Sequence, residues 1–336
     1  MIATPETLIE FKPDLENAGL ESAPAVEAGR KDESSPEAVN DTLYLIGRPT
    51  LKQFLKFVKG QAVDPPATGS LTDEWLAAKK EASLLEEAEA GVANNPRIQK
   101  MGPEYEPLLI EFLKDPLVRH GFNTVPTEVA IIELDSLIVY QHHIDLTFVR
   151  DLIAKLGPVL SKERIFRTCL PYDHPEPPVK WSRAGRNRYV FVSPSNDLRF
   201  LGAMPMKPKH ITDYPPPGAL ACVIGLGVGF GSNFLNAIYT ENRLILNNGS
   251  HRAYALREMG YTHVPCIVQH VSSRDELELI AASAIWDDPD YYLKHPRPSM
   301  FKDYFNPKLH KVMPVHRRVR QISVRFEVEE SFMPAM

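Results

Sequence analysis

The stretch RLILNNGSHRAYALREMGYTHVPCIV, residues 243–268, sets an apolar run against two asparagines, a glycine, a serine, a histidine and an arginine. A segment of helical character follows at once. A helix N-terminus presents backbone N–H groups without intrahelical partners and a partial positive charge, so it attracts anions. Gly249 permits close backbone approach or a positive φ. Ser250 can cap the helix or donate its hydroxyl to an oxyanion. Arg252 offers the planar fork that matches a phosphate, and His251 can donate, accept or shuttle a proton. Asn247 and Asn248 add amides at the strand end. These residue types predict an anion cradle in which Asn248, Gly249, Ser250 and Arg252 bind and His251 handles a proton. A plainer reading stands beside it, because serine caps helices routinely and a surface His-Arg pair is ordinarily solvated.

Three other stretches carry chemistry-bearing residues. In YQHHIDL (140–146), His142 and His143 are sequential and point to opposite sides of an extended segment, which argues against joint metal ligation but lets one face a cleft. The glycines of GLGVGFG (225–231) miss the G-x-G-x-x-G spacing and precede β-like sequence, so strand packing is the expected role. WDDPDYYLKHP (286–296) groups Asp287, Asp288, Asp290 and His295, a loose set of metal-ligand types that reads more simply as a cap and turn.

The elements that must position these residues follow from periodicity. Leu51, Phe54, Leu55 and Val58 fall at helical spacing after Pro49, a second helix runs through TDEWLAAKKEASLLEEAEAG, and YEPLLIEFLKDPLVRHG makes a third. EVAIIELDSLIVY (128–140) is strand-like. Residues 145–157 return to a helix capped by Asp145 and closed by Gly157. Residues 171–187 read as a loop, RYVFVSPSNDLRFLGA as a hairpin around Ser195, Asn196 and Asp197, and ALACVIGLGV as a strand. Two strands turning at Glu241-Asn242 lead to the helix at 250–260 and the strand HVPCIVQHV. SSRDELELIAASAIW is a helix with a Ser273–Glu276 capping box, and RRVRQISVRFEVEE alternates as a strand.

The chain has 336 residues, 43% of them hydrophobic and 24% charged, the balance of a globular protein with a sizeable core. Its net charge of −5 is uneven: residues 1–41 hold ten acids and three bases, net −7, leaving +2 for the rest. That acidic, proline-dotted start is expected to be a disordered tail. From Lys302 to Arg325 there are seven Lys/Arg and one acid, a basic strand that can track a phosphate backbone, or pair with the acidic tail or another chain. With a pI near 6.1 overall, the second use is the favoured expectation. No stretch reaches the ~20 apolar residues of a membrane helix, and the start lacks a secretory signal pattern. Cys169, Cys222 and Cys266 are odd in number and widely spaced, which argues against a disulfide framework or zinc site and for a reducing cytoplasm.

The order hairpin, Gly249-Ser250-His251-Arg252 turn, helix, glycine, VPCIV (264–268) resembles the ParB/sulfiredoxin-like superfamily, as does IIELDSLIVYQHHIDLTFVRDLIAKLG in its first strand and helix. The resemblance covers roughly residues 128–157 and 220–271. It implies an α+β fold, a mixed sheet with flanking helices, for residues 126–285 with an insertion at about 160–215; composition and periodicity add an acidic tail (1–41), a helical N-terminal region (42–125) and a C-terminal extension (286–336) ending in the basic strand. Sulfiredoxins carry Gly-Cys-His-Arg, and Ser250 replaces the cysteine, which removes the thiol that repair chemistry requires. Free-serine kinases carry Asp-Gly-His-His-Arg and a catalytic glutamate after the first strand. Here Gly249, His251 and Arg252 match, Asn248 and Ser250 do not, and His142, His143 or Asp145 would stand in for the glutamate. The DNA-partitioning branch carries Gly-Glu-Arg-Arg, of which Gly249 and Arg252 match, and no helix-turn-helix is legible after residue 271. The resemblance therefore implies a nucleotide- or phosphate-ligand-binding protein using ATP or another nucleotide with Mg²⁺, without thiol chemistry, with phosphoryl transfer to a small molecule as its activity and His251, Asp145 and His142 as catalytic groups. Its rivals are a nucleic-acid-binding or nuclease protein of the same superfamily and a non-catalytic interaction protein that has kept the fold.

Overall fold

The computed structural model describes residues 39–174, 176–195, 197–207, 209, 211 and 218–334. Most of the expected acidic tail lies outside these residues, but its last three open a strand, β1 (Val39–Leu45). There follow α1 (Leu51–Gln61), α2 (Thr68–Ala88), β2 (Ile98–Lys100), α3 (Glu106–Phe112), α4 (Pro116–Gly121), β3 (Thr127–Glu133), β4 (His143–Asp145), α5 (Leu146–Leu156) and α6 (Lys162–Cys169). Next come β5 (Lys180–Gly185), β6 (Arg188–Ser193), β7 (Leu198–Met206) and β8 (Val223–Phe230). The chain continues through β9 (Asn236–Thr240), β10 (Arg243–Asn248), α7 (Ser250–Glu258), β11 (His263–His270), α8 (Arg274–Ile280), α9 (Ser283–Asp287), α10 (Pro289–Lys294), β12 (His310–His316) and β13 (Arg320–Arg325). The architecture is α+β.

The chain divides into two compact units. The larger comprises the described residues of 36–174 and 232–317; the smaller gathers those of 175–231 and 318–336. In the larger unit a five-stranded sheet runs β10-β9-β11-β3-β2, and a three-stranded one runs β12-β1-β4. The hairpin β9–β10 turns at Glu241 and Asn242, both at positive φ (46° and 59°), the geometry a two-residue hairpin loop demands. From β10 the chain passes through α7 into β11, which lies parallel to β9 and antiparallel to β3. Beyond β3, Ile138 bridges to Ile245, so the segment leading to β4 runs beside β10. Fully buried Ile132, Leu244, Leu246, Ala253, Leu256 and Val264 fasten α7 to this sheet. Each of the larger side chains among them contributes about 1.5–3 kcal/mol.

Several sequence expectations change. Residues 188–203 do not form a hairpin: β6 pairs with β5 and β13, whereas β7 pairs with β8. Of the expected turn, Asn196 lies outside the described residues. Residues 180–185, expected as loop, are the strand β5. The strand at 128–140 ends at Glu133, where a 3₁₀ turn (Leu134–Ser136) begins. The third helix breaks into α3 and α4 because Pro116 restricts its neighbour and Asp115 caps anew, its Oδ1 accepting from Leu117 N–H at 2.8 Å. The helix after Ser273 stops at Ala281, whose extended ψ of 154° separates α8 from α9. Ser273 caps it, but Glu276 reaches back to Ser272 N–H (2.8 Å) rather than closing the box on Ser273.

Candidate functional site

Gly249 precedes α7 at φ 95°, ψ 19°, left-handed backbone that favours glycine. A Cβ there would sit 2.6 Å from Leu235 Cδ1, so packing demands glycine as well. Just upstream, the β9–β10 register shifts between Leu246 and Asn248, a bulge that leads the chain into the turn. The two asparagines are spent on that geometry. Asn248 Nδ2 donates to Ser232 O (2.9 Å) and Phe234 O (3.3 Å), and Asn247 Nδ2 to Asn236 Oδ1 (3.0 Å). Tyr140 OH donates to Asn247 O at 2.8 Å, tying the two segments together. Ser250 is the first helical residue, not the cap, and is buried.

Arg252 serves structure first. Its Nη1 donates to Thr168 O (3.1 Å) and Cys169 O (3.3 Å) at the C-terminal end of α6, where a cation complements the exposed carbonyls and the helix dipole. Its Nη2 donates to Asn233 Oδ1 at 2.6 Å. The fork expected to grip a phosphate thus holds α6 against α7.

His251 has a different setting. It is half-buried, and Phe148 of α5, 52% exposed, meets it edge-on at 5.6 Å between ring centroids. Burial pushes its pKa down to about 4, with His143 and Arg252 lowering it further and Asp145 opposing. Residues 143–145 of β4 therefore converge on the start of α7. His143 keeps an exposed surface while the Phe57 ring lies 5.9 Å from its own, and desolvation lowers its pKa against the opposing charge of Asp145. Asp145 caps α5, its Oδ1 accepting from Phe148 N–H (3.0 Å) and its Oδ2 from Asn40 Nδ2 (2.6 Å). His142 faces the other way, 6.3 Å from the Tyr44 ring, with its pKa pushed down by burial to about 4.

Of the expected catalytic groups, His251 and Asp145 come together, and His143 rather than His142 joins them. Period-two alternation already groups 143 with 145, so that choice was readable from the sequence. Phe148 and the α6 carbonyls were missed, since nothing local marks a residue about a hundred positions away as a neighbour. The arrangement does not fit the clamp expected for a Mg²⁺-nucleotide: Asn248 and Arg252 are engaged internally, and among the described residues no group of three His, Cys, Asp or Glu is placed to hold a metal ion. Asp288 and Asp290 are used in capping α10 and in pairing with Lys294 (3.0 Å). The glycines at 225, 227 and 229 lie in β8, against β7. Two open surface depressions, of about 400 and 330 Å³, are lined by residues outside 247–252. No helix of the described residues is long and apolar enough to cross a membrane.

No protein-family model, curated protein or solved structure matches this chain.

Proposed function

We propose that the larger unit is a divergent ParB/sulfiredoxin-like domain that binds a small phosphorylated ligand, of nucleotide size, where β4 and α5 meet the start of α7. The observation that carries this reading is the convergence of His143, Asp145 and Phe148 on His251, from segments about a hundred residues apart. The first turn of α7 supplies partial positive charge, His251 and His143 supply hydrogen bonds, and the exposed face of Phe148 offers a base a stacking surface. Arg252 adds its charge from behind while latching α6. With the acid of Asp145 engaged as a cap, no phosphoryl-transfer step is assigned to it. A second reading, a non-catalytic interaction protein, is favoured by the internal bonds of Asn248 and Arg252.

Thermal unfolding with ATP, CTP and pyrophosphate, each at millimolar concentration with and without Mg²⁺, separates the two. Ligand at 100 times its Kd stabilises by about 2.7 kcal/mol. The binding reading expects a raised midpoint that His251→Asn removes. No rise with any of the three leaves the interaction-protein reading.

A further inference from the structure

The smaller unit contains a surface unrelated to the α7 corner. Its sheet runs β13-β6-β5, with Arg320 opposite Ser193, Ile322 opposite Phe191 and Val324 opposite Tyr189 on one side. On the other side of β6, Trp181 lies opposite Phe191 and Arg183 opposite Tyr189. Because side chains alternate, Trp181, Arg183, Tyr189, Phe191, Ile322 and Arg320 share one face. Trp181 is 41% exposed, Tyr189 and Phe191 are half-buried, and both arginines are exposed.

The charge of this sheet is one-sided. Residues 180–193 and 318–325 contain seven Lys/Arg and no Asp or Glu. None of the seven forms an ion pair among the described residues. Their hydrogen bonds go to neutral groups that fix the side chains: Arg183 Nε to Gly185 O (3.1 Å) and Nη2 to Arg186 O (2.9 Å), Arg188 Nε to Ser323 Oγ (2.9 Å), Arg320 Nε to Leu198 O (3.2 Å). The three rings also lie apart from other aromatic rings among the described residues, whereas Phe112 of the other unit meets Phe166 edge-on and stacks on Tyr172.

We propose that this face binds single-stranded nucleic acid, its bases stacking on Trp181, Phe191 and Tyr189 and its phosphates running past Arg183 and Arg320. Neighbouring strands are ~4.8 Å apart and same-face residues on one strand ~7 Å apart, so the rings present a platform for successive unstacked bases. Stacking of this kind favours single strands because a duplex keeps its bases covered. Tyr189 and Phe191 are half-buried where Arg183 and Arg320 are exposed, so planar bases can lie on the rings while a bilayer finds little to insert.

The test uses the full chain and fluorescent 20-mers of U and of dT, a duplex control and anionic vesicles of phosphatidylserine. Single strands are expected to bind at low salt, with affinity falling steeply as salt rises. Trp181→Ala should weaken binding roughly 5- to 100-fold, and Trp181→Phe should restore most of it, which separates a lost stacking surface from a misfolded unit. Arg320→Ala should weaken binding and lower the salt slope by about 0.7. His251→Asn should leave it unchanged, so failure here and failure at the α7 corner are distinguishable. No retention at low salt overturns the proposal, as does binding insensitive to Trp181→Ala, a preference for duplex, or capture by vesicles without capture of single strands.

Discussion

Arg252 and Arg320 are both arginines beside short polar stretches, yet the structure uses them in opposite ways. Arg252 is surrounded by acceptors of its own unit, two α6 carbonyls and the Asn233 amide oxygen. Arg320 sits in a sheet whose five cations, Lys180, Arg183, Arg188, Arg320 and Arg325, form no ion pair among the described residues, and it donates to one backbone oxygen. A cation satisfied from within positions its neighbours; a set of cations without counter-charges repels itself unless an outside anion arrives. The difference shows what residue type alone cannot tell: Asn247, Asn248 and Arg252 are bonded within the fold, whereas Arg183 of β5 and Arg320 of β13 are exposed.

The buried pole of this comparison is Arg297. It is 1% exposed and paired bidentately with Asp303, 2% exposed, with Glu89 joining at 3.0 Å. Arg297→Met strands the Asp303 carboxylate in the core, and the expected loss is about 3–5 kcal/mol by denaturant unfolding. A loss below 1 kcal/mol would show that internal pairing of cations does not hold this fold.

Acid sharpens the contrast next. His251 and His142 are each lowered from the usual 6.5 to about 4, so the unfolded chain binds more protons between those values. Stability is therefore full above pH 6.5 and falls as pH drops toward 4, by on the order of 2 kcal/mol for the more buried ring. Urea midpoints at pH 7 and 4.5 measure it; His251→Asn should flatten part of the slope.

The two arginines themselves supply the direct comparison. Arg252→Ala leaves the Thr168 and Cys169 carbonyls short of a donor, for an expected cost of about 1–3 kcal/mol. Arg320→Ala should stay within about 0.5 kcal/mol of the parent, as surface substitutions do. Equal losses in the two variants would erase the distinction.

Much of the larger unit was legible in the sequence. The strand β9, the turn at Glu241-Asn242, the helix from Ser250 and the strand ending at His270 follow from period-two and helical patterns punctuated by glycine and asparagine. The Asp145 cap and Gly157 stop of α5 were equally plain, and Gly157 sits at φ 83°. Less was legible where partners are distant. β1 finds β12 more than 260 residues along the chain, and no local signal names that pairing. β6 and β7 read as a hairpin because adjacency in sequence suggests pairing, but β13 and β8 compete for those edges and win. For the site, the sequence put Gly249, Ser250, His251 and Arg252 at a helix start but could not tell that α6 would end beside Arg252.

We propose that the corner of His143, Asp145, Phe148 and His251 receives a phosphorylated ligand. Imidazole NMR of His251, titrated with and without saturating pyrophosphate, tests it most directly. The account expects a pKa near 4 in the free protein and a marked rise when a dianion sits beside the ring. An unchanged titration with pyrophosphate present would contradict it.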